Sequence, residues 1–323
     1  MNETGVERMA RYVRVSTITF GGAHQAATDP KAKVKSNLEA AVELFNRAIL
    51  DAPDIVALPE AFAFLGVPIN QWEQVAETVN GQVVRTFSEL AVKHRCWVIC
   101  PFVERDNVGI RNSAAFIDRN GNVVAKYHKM HPTIEEINSG VIPGIEAMVV
   151  ESDFGKIGCA ICFDLNFRDV IEGMAKKGVE LVFFCSMYLG GLQMRIWAHD
   201  YSVFMASACT SYGSMIVDPL GRVIVTSQPY QPIITKTLNL DAVVLHLDYN
   251  HAKFAAIKER YKAGVEIDVA SPEGKCILVS HMPDKSASEI VAEFELEPLR
   301  NYFERAEGIR KQALAKLNHR RTH

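Results

Sequence analysis

Short apolar runs of strand length alternate with amphipathic helical patterns along this chain, and this alternation restricts its fold more than any other feature. Four of the runs have the nearly continuous apolar character of buried strands: 54–58, 96–103, 156–161 and 180–187. Two more runs, 112–118 and 122–128, are joined by a turn that contains Asn120-Gly121, a strong hairpin signal. Strands connected by both hairpins and helical crossovers predict an α/β fold, with mixed sheets and the helices outside them.

Helical periodicity occupies most of the segments between the strands. The first helix follows a strand at 13–20, and its apolar face comprises Val34, Leu38, Ala41, Val42, Phe45 and Ile49. Further elements are predicted as follows: helices at 83–94, 168–177 and 192–208, strands at 214–217 and 223–227, and a strand at 243–248 that closes the sheet region. Because no repeat or long linker is found, we expect one domain over residues 1–323, with a core at about 11–285 and a helical tail at about 289–323.

The composition is that of a globular protein, with 48% hydrophobic and 23% charged residues. A formal net charge of −3 gives no electrostatic reason to expect a nucleic-acid partner. No apolar stretch reaches the roughly 18 to 20 residues of a membrane span, and the first 14 residues lack the apolar region of a signal peptide. The seven cysteines are an odd number and lie mostly in apolar runs, so we expect reduced thiols and a cytoplasmic location.

Cys162 lies where a buried strand gives way to a helix. A thiol at such an elbow is near the positive end of the helix dipole, where its thiolate is favoured and backbone N–H groups can hold an oxyanion. The structural alternative is a small buried hydrophobe, as most free cysteines are. A redox or zinc pair of Cys159 with Cys162 is disfavoured, because residues three apart in a strand point to opposite faces and no second ligand cluster exists.

Two charged residues follow apolar strands in a similar way. Glu60 comes directly after the strand at 54–58 and precedes Ala61-Phe62-Ala63-Phe64, so its carboxylate needs a paired cation or a proton and could act as a general base or acid. Lys129 ends the strand at 122–128, where a fixed ammonium could stabilise negative charge on a substrate carbonyl oxygen. Taken alone, each residue is more commonly a solvated strand end.

The order and setting of these residues resemble the Glu–Lys–Cys triad of the nitrilase superfamily, the carbon–nitrogen hydrolases. Leu58-Pro59-Glu60 follows one strand, Lys129 follows a hairpin and Cys162 lies at an elbow. The resemblance covers about 13–248, and two further matches support it: Arg111-Asn112-Ser113-Ala114 and Pro143-Gly144.

A fourth site residue is suggested by a second motif. The run that begins at Lys129 is similar to the Lys-x-x-Pro-Thr-x-x-Glu pattern of some members, in which the glutamate is a second carboxylate that positions the substrate. This pattern maps to Glu136, with the adjacent Glu135 as the alternative.

The resemblance implies a four-layer α-β-β-α sandwich that needs no metal or organic cofactor. It implies a homodimer or larger homo-oligomer that acts on a small molecule, and the charge and hydropathy described above add the expectation of neither a nucleic-acid nor a membrane partner. In the mechanism it implies, Glu60 takes the proton from Cys162, and the thiolate attacks an amide-type carbon to form a thioester. Lys129 and the backbone N–H of Phe163 would stabilise the oxyanion.

The residues after the nucleophile bear on the branch of the superfamily. Cys162-Phe163-Asp164 is closer to the Cys-Tyr-Asp of aliphatic amidases than to the Cys-Trp-Glu of true nitrilases, which favours amide or N-carbamoyl substrates. The Pro-Thr-x-x-Glu stretch at 132–136 is more nitrilase-like, so hydrolysis of a nitrile to acid and ammonia stays an alternative. A second alternative is a catalytically silent, ligand-binding member of the same fold, although all three triad residues are present.

Arg168 follows the nucleophile at the start of a helix, where a cation is disfavoured by the dipole unless it has an anionic partner. It could bind a substrate carboxylate in bidentate fashion, as N-carbamoyl amino acids would require. The alternative, which we favour, is a salt bridge to Asp164, Asp169 or Glu172.

Overall fold

The computed structural model describes residues 10–23 and 29–321. Two compact units are present: a larger one over 13–238, and a smaller one that comprises 239–321 together with 10–12. None of the helices in the described ranges combines the length and the apolar character that a bilayer crossing demands. The single domain expected over 1–323 stays a prediction.

Within the described residues, twelve strands form two six-stranded sheets that fall in the larger unit (β1 and β12 each extend one residue past its bounds). The strands are β1 (Tyr12–Ile18), β2 (Ile55–Ala57), β3 (Trp97–Arg105), β4 (Ile110–Ile117), β5 (Val123–His128), β6 (Val149–Glu151), β7 (Lys156–Ile161), β8 (Leu181–Ser186), β9 (Phe204–Cys209), β10 (Met215–Val217), β11 (Val223–Thr226) and β12 (Ile233–Asn239). The order is β12-β1-β2-β3-β4-β5 in the first sheet and β11-β10-β9-β8-β7-β6 in the second.

Each sheet has a parallel centre and antiparallel edges. Strands β1, β2 and β3 are parallel in the first sheet, as are β7, β8 and β9 in the second. The pairs β4–β5, β6–β7 and β10–β11 are antiparallel. The parallel strands are buried along nearly their whole length, which explains why their sequences are continuous apolar runs.

Six α-helices fall within the described residues of the larger unit. They are α1 (Pro30–Ala48), α2 (Trp72–Val75), α3 (Gln82–His94), α4 (Ile134–Asn138), α5 (Arg168–Lys176) and α6 (Gly191–Tyr201). Helices α1 and α3 share an apolar core with the first sheet, and α5 and α6 share one with the second. The predicted α/β class, with mixed sheets flanked by helices, is confirmed.

The predicted helix at 192–208 is wrong in its second half. Helix α6 ends at Tyr201, because Ser202 takes the left-handed conformation with φ 55°. The following Phe204–Cys209 segment is β9, which is buried between β8 and β10. A buried apolar run of this length has no periodicity that separates helix from strand, and pairing on both sides decides for the strand.

The smaller unit has its own antiparallel sheet, in the order β13-β15-β14. Its elements are β13 (Ala242–His246), α7 (Phe254–Tyr261), β14 (Val265–Ala270), β15 (Lys275–Ser280), α8 (Ala287–Glu293) and α9 (Leu299–Arg321). Leu245, Ile257 and Ile290 belong to its apolar core. The strand predicted at 243–248 therefore belongs to this separate sheet and does not close the larger ones. The predicted helical tail consists of two helices, α8 and α9.

Candidate active site

Cys162 directly follows β7 and has a backbone φ of 49°, in the left-handed region that non-glycine residues rarely adopt. It begins a short 3₁₀ turn, Cys162–Asn166, and α5 starts only at Arg168. The elbow predicted from the sequence is present. However, Cys162 is six residues before the start of α5, so the dipole of that helix is not the source of any thiolate stabilisation.

The thiol of Cys162 is held in its protonated form. Burial raises its pKa to about 12, and the nearby Glu60 carboxylate adds to this rise. Lys129 lowers the pKa, as do hydrogen bonds with the backbone of Met187 and the side chain of Ser186, but these effects are smaller. The expectation of a resting thiolate is therefore wrong, and the thiol needs a base before it can attack.

Glu60 lies three residues beyond the end of β2, and its side chain is buried. Its Oε1 accepts hydrogen bonds from the Nζ of Lys129 and the Nδ2 of Asn112, both at 2.8 Å. Its Oε2 accepts the backbone N–H of Met187 at 3.0 Å. The paired cation that the apolar surroundings of Glu60 demand is thus Lys129.

Lys129 follows β5 and is 1% exposed. Its Nζ donates to Glu60 Oε1 and Glu136 Oε2, each at 2.8 Å. Burial works to lower the pKa of Lys129, but the two carboxylates outweigh it, and the pKa lies above its ordinary value. The ammonium is therefore permanently charged and fixed between two carboxylates.

A glycine holds the backbone of Lys129 in place. The N–H of Gly144 donates to the carbonyl of Lys129 at 2.8 Å. A Cβ at position 144 would lie 2.1 Å from the carbonyl oxygen of His128, so any other residue would displace this loop.

Glu136, and not Glu135, is the second carboxylate of the site. It is buried in α4, and its side chain accepts the N–H of Thr133 at 2.6 Å while Thr133 Oγ1 accepts the N–H of Glu136, which is a capping box. Burial opposes ionisation of Glu136, but Lys129 and the hydrogen bonds from Asn112 and Thr133 keep its pKa below the ordinary value. Glu135 is exposed and lines the cavity mouth.

Asn112 is a site residue that the sequence reasoning missed. It lies in β4, is 1% exposed, and donates through Nδ2 to Glu60 Oε1 and Glu136 Oε1, both at 2.8 Å. Its Oδ1 has no hydrogen-bond partner within the residues that the structure describes. A polar amide inside a mostly apolar strand could have identified it, because a buried amide needs hydrogen-bond partners. From the sequence, Asn112 was recognised only as part of a family motif.

Asp164 connects the loop of Lys129 to the elbow of Cys162. Its carboxylate accepts the hydroxyl of Tyr127 at 2.7 Å and the N–H of His131 at 2.8 Å, which are two residues before and after Lys129. It also accepts the N–H of Ile161, next to the nucleophile, at 2.9 Å. Burial raises the pKa of Asp164 to about 6 against the effect of these hydrogen bonds.

Glu60, Lys129, Glu136 and Cys162 line one cavity of about 290 Å³. We call the hydrogen-bonded group of Asn112, Glu60, Lys129 and Glu136 the polar floor. The facing residues come from one segment of chain after Glu60 and form what we call the apolar wall: Phe64, Leu65, Val67, Ile69 and Trp72. The arrangement combines a nucleophile, a carboxylate base and a fixed cation around a space large enough for a small molecule.

The family model of carbon–nitrogen hydrolases matches residues 20–245 of this chain. The match covers well over half of the 323 residues. The chain belongs to the carbon–nitrogen hydrolase family. The prediction of the nitrilase superfamily, made from Glu60, Lys129 and Cys162, is confirmed, and so is the prediction of a hydrolase that acts on carbon–nitrogen bonds other than peptide bonds.

Known relatives of this carbon–nitrogen hydrolase include amidases. Deaminated glutathione amidase of Dictyostelium discoideum is 28% identical over 225 residues, which are 59% of this chain and 77% of the relative. The crystal structure of Nit3 from Saccharomyces cerevisiae, a member of branch 10 of the nitrilase superfamily, has a TM-score of 0.63 at 20% identity and covers 78% of this chain and 95% of that one.

A second solved structure is an amidase from Nesterenkonia sp. AN1, in a mutant form with the acetamide moiety of fluoroacetamide added covalently at its active-site cysteine. It has a TM-score of 0.61 at 19% identity and covers 79% of this chain and 98% of that one. At these identities, the two solved structures show that the fold is shared.

Phe163 and Arg168 were expected at the site of this carbon–nitrogen hydrolase, but neither side chain lines the cavity. The ring of Phe163 packs edge-to-face on Phe167, with centroids 5.2 Å apart, so only its backbone is a candidate for catalysis. Arg168 is exposed at the start of α5, outside the cavity lining, and it forms no salt bridge within the described ranges. The structure does not bring Arg168 to the triad, and the predicted salt bridge to Asp164, Asp169 or Glu172 is not formed among the described residues.

Cys159 is turned away from Cys162. Its Sγ is buried and lies 3.9 Å from the Sγ of Cys185 on the neighbouring strand β8. Over residues 10–23 and 29–321, no cluster of three or more His, Cys, Asp or Glu side chains has an arrangement suited to a metal ion.

Proposed function

We propose that this carbon–nitrogen hydrolase cleaves the amide bond of a small molecule through a thioester on Cys162. The observation that carries the proposal is the Lys129 ammonium, which lies 2.8 Å from both Glu60 and Glu136 in a cavity that Cys162 also lines. A fixed cation beside a nucleophile and its base can stabilise the negative charge that develops on the oxygen of an attacked carbonyl.

The first half of the reaction forms the thioester. Glu60 Oε1 accepts hydrogen bonds from Lys129 and Asn112, whereas Oε2 accepts one hydrogen bond, from the N–H of Met187. The same N–H of Met187 also donates to the sulfur of Cys162, so Oε2 and the thiol are neighbours. Oε2 therefore takes the thiol proton as sulfur bonds to the amide carbon, and the carbonyl electrons move onto oxygen beside the Lys129 Nζ. When the tetrahedral adduct collapses, the carbon–nitrogen bond breaks and Glu60 gives its proton to the departing ammonia or amine.

The second half releases the acid. Glu60, ionised again, takes a proton from water while the water oxygen attacks the thioester carbon. The carbon–sulfur bond then breaks, the carboxylic acid leaves, and the thiolate of Cys162 recovers its proton from Glu60. In both halves the oxyanion is stabilised by Lys129 and by the backbone N–H of Phe163, which follows the left-handed Cys162.

Glu136 and Asn112 hold the other two groups in position. The Lys129 ammonium is shared between Glu60 and Glu136, each at 2.8 Å, so Glu136 fixes the position of the cation beside the base. Asn112 bridges the two carboxylates and so fixes the distance between them. We assign both residues a positioning role, since neither is needed for a proton transfer.

An ammonia-release screen tests the proposal. Short primary amides, N-carbamoyl amino acids and the corresponding nitriles are incubated with the full chain, with Cys162→Ala and with Cys276→Ala as a matched control. Cys276 is a buried cysteine of the smaller unit, so its loss tests the effect of removing a thiol elsewhere. We expect ammonia from amides, no ammonia with Cys162→Ala, and full activity with Cys276→Ala.

A trapping experiment separates the thioester from other routes. Hydroxylamine added during turnover converts a thioester to a hydroxamate, which is measured by colour with ferric ion. Hydrolysis that survives Cys162→Ala, or turnover that never yields hydroxamate, would overturn the covalent mechanism. Ammonia from nitriles but not from amides would instead favour the nitrilase alternative, and a chain that binds amides without hydrolysing them would favour the silent member.

We retain two further proposals from the sequence, a homo-oligomeric assembly and a cytoplasmic location. Exposed apolar side chains on and beside α6, among them Leu192 and Ile196, support the first, because such residues are common at subunit interfaces. Light scattering of the full chain tests it. Fractionation of the source cells tests the second.

A further inference from the structure

We propose that the cavity selects amides whose acyl group is uncharged and apolar, and discriminates against amides that carry a carboxylate at the far end of that group. This inference rests on the proposed amidase function and adds a substrate class to it. Two independent features of the cavity support it: the chemistry of the apolar wall and the balance of charges around the space.

The side chains of the apolar wall offer hydrocarbon contacts, and their one polar atom, Trp72 Nε1, is buried away from the surface and has no hydrogen-bond partner among the described residues. Phe64, Val67 and Trp72 are buried side chains, and Leu65 and Ile69 are half-buried against the same space. A carboxylate placed against this surface would lose its hydration without gaining a hydrogen-bond partner, which is costly. An alkyl or aryl acyl group would be stabilised by the same contact.

The charges that line the cavity add to this discrimination. Among the described residues of the lining, Lys129 is the one cation, and both Glu60 and Glu136 already bind its ammonium at 2.8 Å. Three carboxylates line the cavity, since Glu135 joins these two at the mouth. Within the described ranges the Glu135 side chain forms no salt bridge or hydrogen bond, so its negative charge faces the entrance uncompensated.

Besides Lys129, no cationic side chain belongs to the cavity lining that the structure describes, and the ammonium of Lys33 is engaged with the backbone carbonyl of the lining residue Gly66 at 2.8 Å. Arg168, the residue expected to anchor a substrate carboxylate, does not line it. An anionic substrate would therefore approach a negatively charged entrance and end against an apolar surface. Glu135 acts here as a residue that determines specificity, because its charge is felt by the incoming molecule and plays no part in the chemistry.

The test uses two primary amides of the same shape that differ in charge. In 5-methylhexanamide the acyl chain ends in an isopropyl group, and in glutaramate it ends in a carboxylate of similar size. We expect kcat/KM for 5-methylhexanamide to exceed that for glutaramate by at least about tenfold in the unaltered chain.

Charge reversal at the entrance then isolates Glu135. In Glu135→Lys we expect the preference for the neutral amide to fall by at least about threefold, since screening by salt keeps the effect of an exposed charge modest. In Glu135→Gln we expect a smaller fall, because this change removes the negative charge without adding a positive one. The matched control is Glu151→Lys, the same charge change on an exposed residue of β6 outside the cavity, which leaves the preference unchanged.

The possible outcomes separate the two proposals. If the unaltered chain hydrolyses glutaramate as well as or better than 5-methylhexanamide, or if Glu135→Lys leaves the preference unchanged while circular dichroism shows a folded protein, the selectivity proposal is wrong and the amidase proposal stands. If the unaltered chain hydrolyses neither of these amides nor any other in the screen, the amidase proposal is wrong and the selectivity falls with it.

Discussion

The polar floor, through its three charged residues, lines the same cavity as the apolar wall, yet the chain builds the two in opposite ways. The floor joins residues from three separate segments, and every side chain in it bonds to another one: Glu60, Asn112, and Lys129 with Glu136. The wall comes from one continuous segment at 64–72 that follows Glu60 directly. A mutually bonded group tolerates little change, whereas a row of apolar side chains can be resized one at a time. The comparison predicts that floor changes act on chemistry and stability, and wall changes act on substrate choice.

The largest effect is expected at the centre of the floor. Lys129→Met removes the ammonium and leaves two buried carboxylates facing each other, so we expect kcat to fall at least about 1,000-fold and the free energy of unfolding to fall by about 3–5 kcal/mol. Steady-state kinetics and urea unfolding measure the two. Lys35→Met is the control, because Lys35 is exposed and pairs with Glu39 at 4.0 Å. For this variant we expect the free energy of unfolding to fall by less than about 1 kcal/mol. Near-normal stability of Lys129→Met would remove the contrast between floor and wall.

The second prediction concerns pH and Asp164, the carboxylate that connects the loop of Lys129 to the elbow of Cys162. The folded-state pKa of Asp164 is about 6, above the ordinary 3.8 of an unfolded chain. The protonated Asp164 therefore contributes to the free energy of unfolding, and this contribution is fully present below about pH 4. It is lost as the pH rises through about 6. Asp164→Asn cannot ionise, so we expect its stability deficit relative to the unaltered chain to shrink by roughly 3 kcal/mol between pH 3 and pH 7. Urea unfolding curves at several pH values measure this, and parallel pH profiles for the two proteins would contradict it.

The third prediction tests whether the floor works as a unit. Asn112→Leu removes the amide that bridges Glu60 and Glu136, and each lost hydrogen bond to a charged group costs about 1.5–3 kcal/mol. We expect kcat to fall about 10- to 100-fold with a smaller change in KM, since the bridge positions the base and does not contact the acyl group. Asn112→Asp adds a third carboxylate to the polar floor, beside Glu60 and Glu136, and lowers kcat further. Kinetics in which KM alone changes would place Asn112 with the wall.

The smallest effect is expected on the wall. Ile69→Ala shortens one half-buried side chain, so we expect kcat/KM for hexanamide to fall about tenfold while that for acetamide changes by less than about twofold. Kinetics over a series of straight-chain amides give the full profile. An equal loss of kcat/KM for every amide in the series would show that the wall also supports the floor. The two regions would then not have separate roles.

The site residues that follow strand ends could be predicted from the sequence. Glu60, Lys129 and Cys162 each interrupt an apolar run just as it stops, and the carboxyl ends of strands are where sites form in α/β folds. Glu136 was also found, because its spacing from Lys129 is local.

The residues that were missed depend on pairing between distant strands. Asn112 reads as one polar residue within a strand, and its two carboxylate partners are 52 and 24 residues away. The sequence suggested Asp164 only as part of an amidase-like motif and as a possible partner of Arg168, since its link to Tyr127 and His131 needs β5 and β7 to be assigned to their sheets first. The helix extended to residue 208 failed for the same reason, because the strand partners of Phe204–Cys209 outweigh its local pattern.

The thiol of Cys162, with its pKa raised to about 12, has a consequence for the lifetime of the protein. Peroxide oxidises thiolates far faster than thiols, and the sulfinic and sulfonic products are not recovered by ordinary reductants. A nucleophile that stays protonated between turnovers is thereby shielded from oxidative damage, and we expect the idle enzyme to survive oxidising conditions that inactivate cysteine enzymes with a resting thiolate.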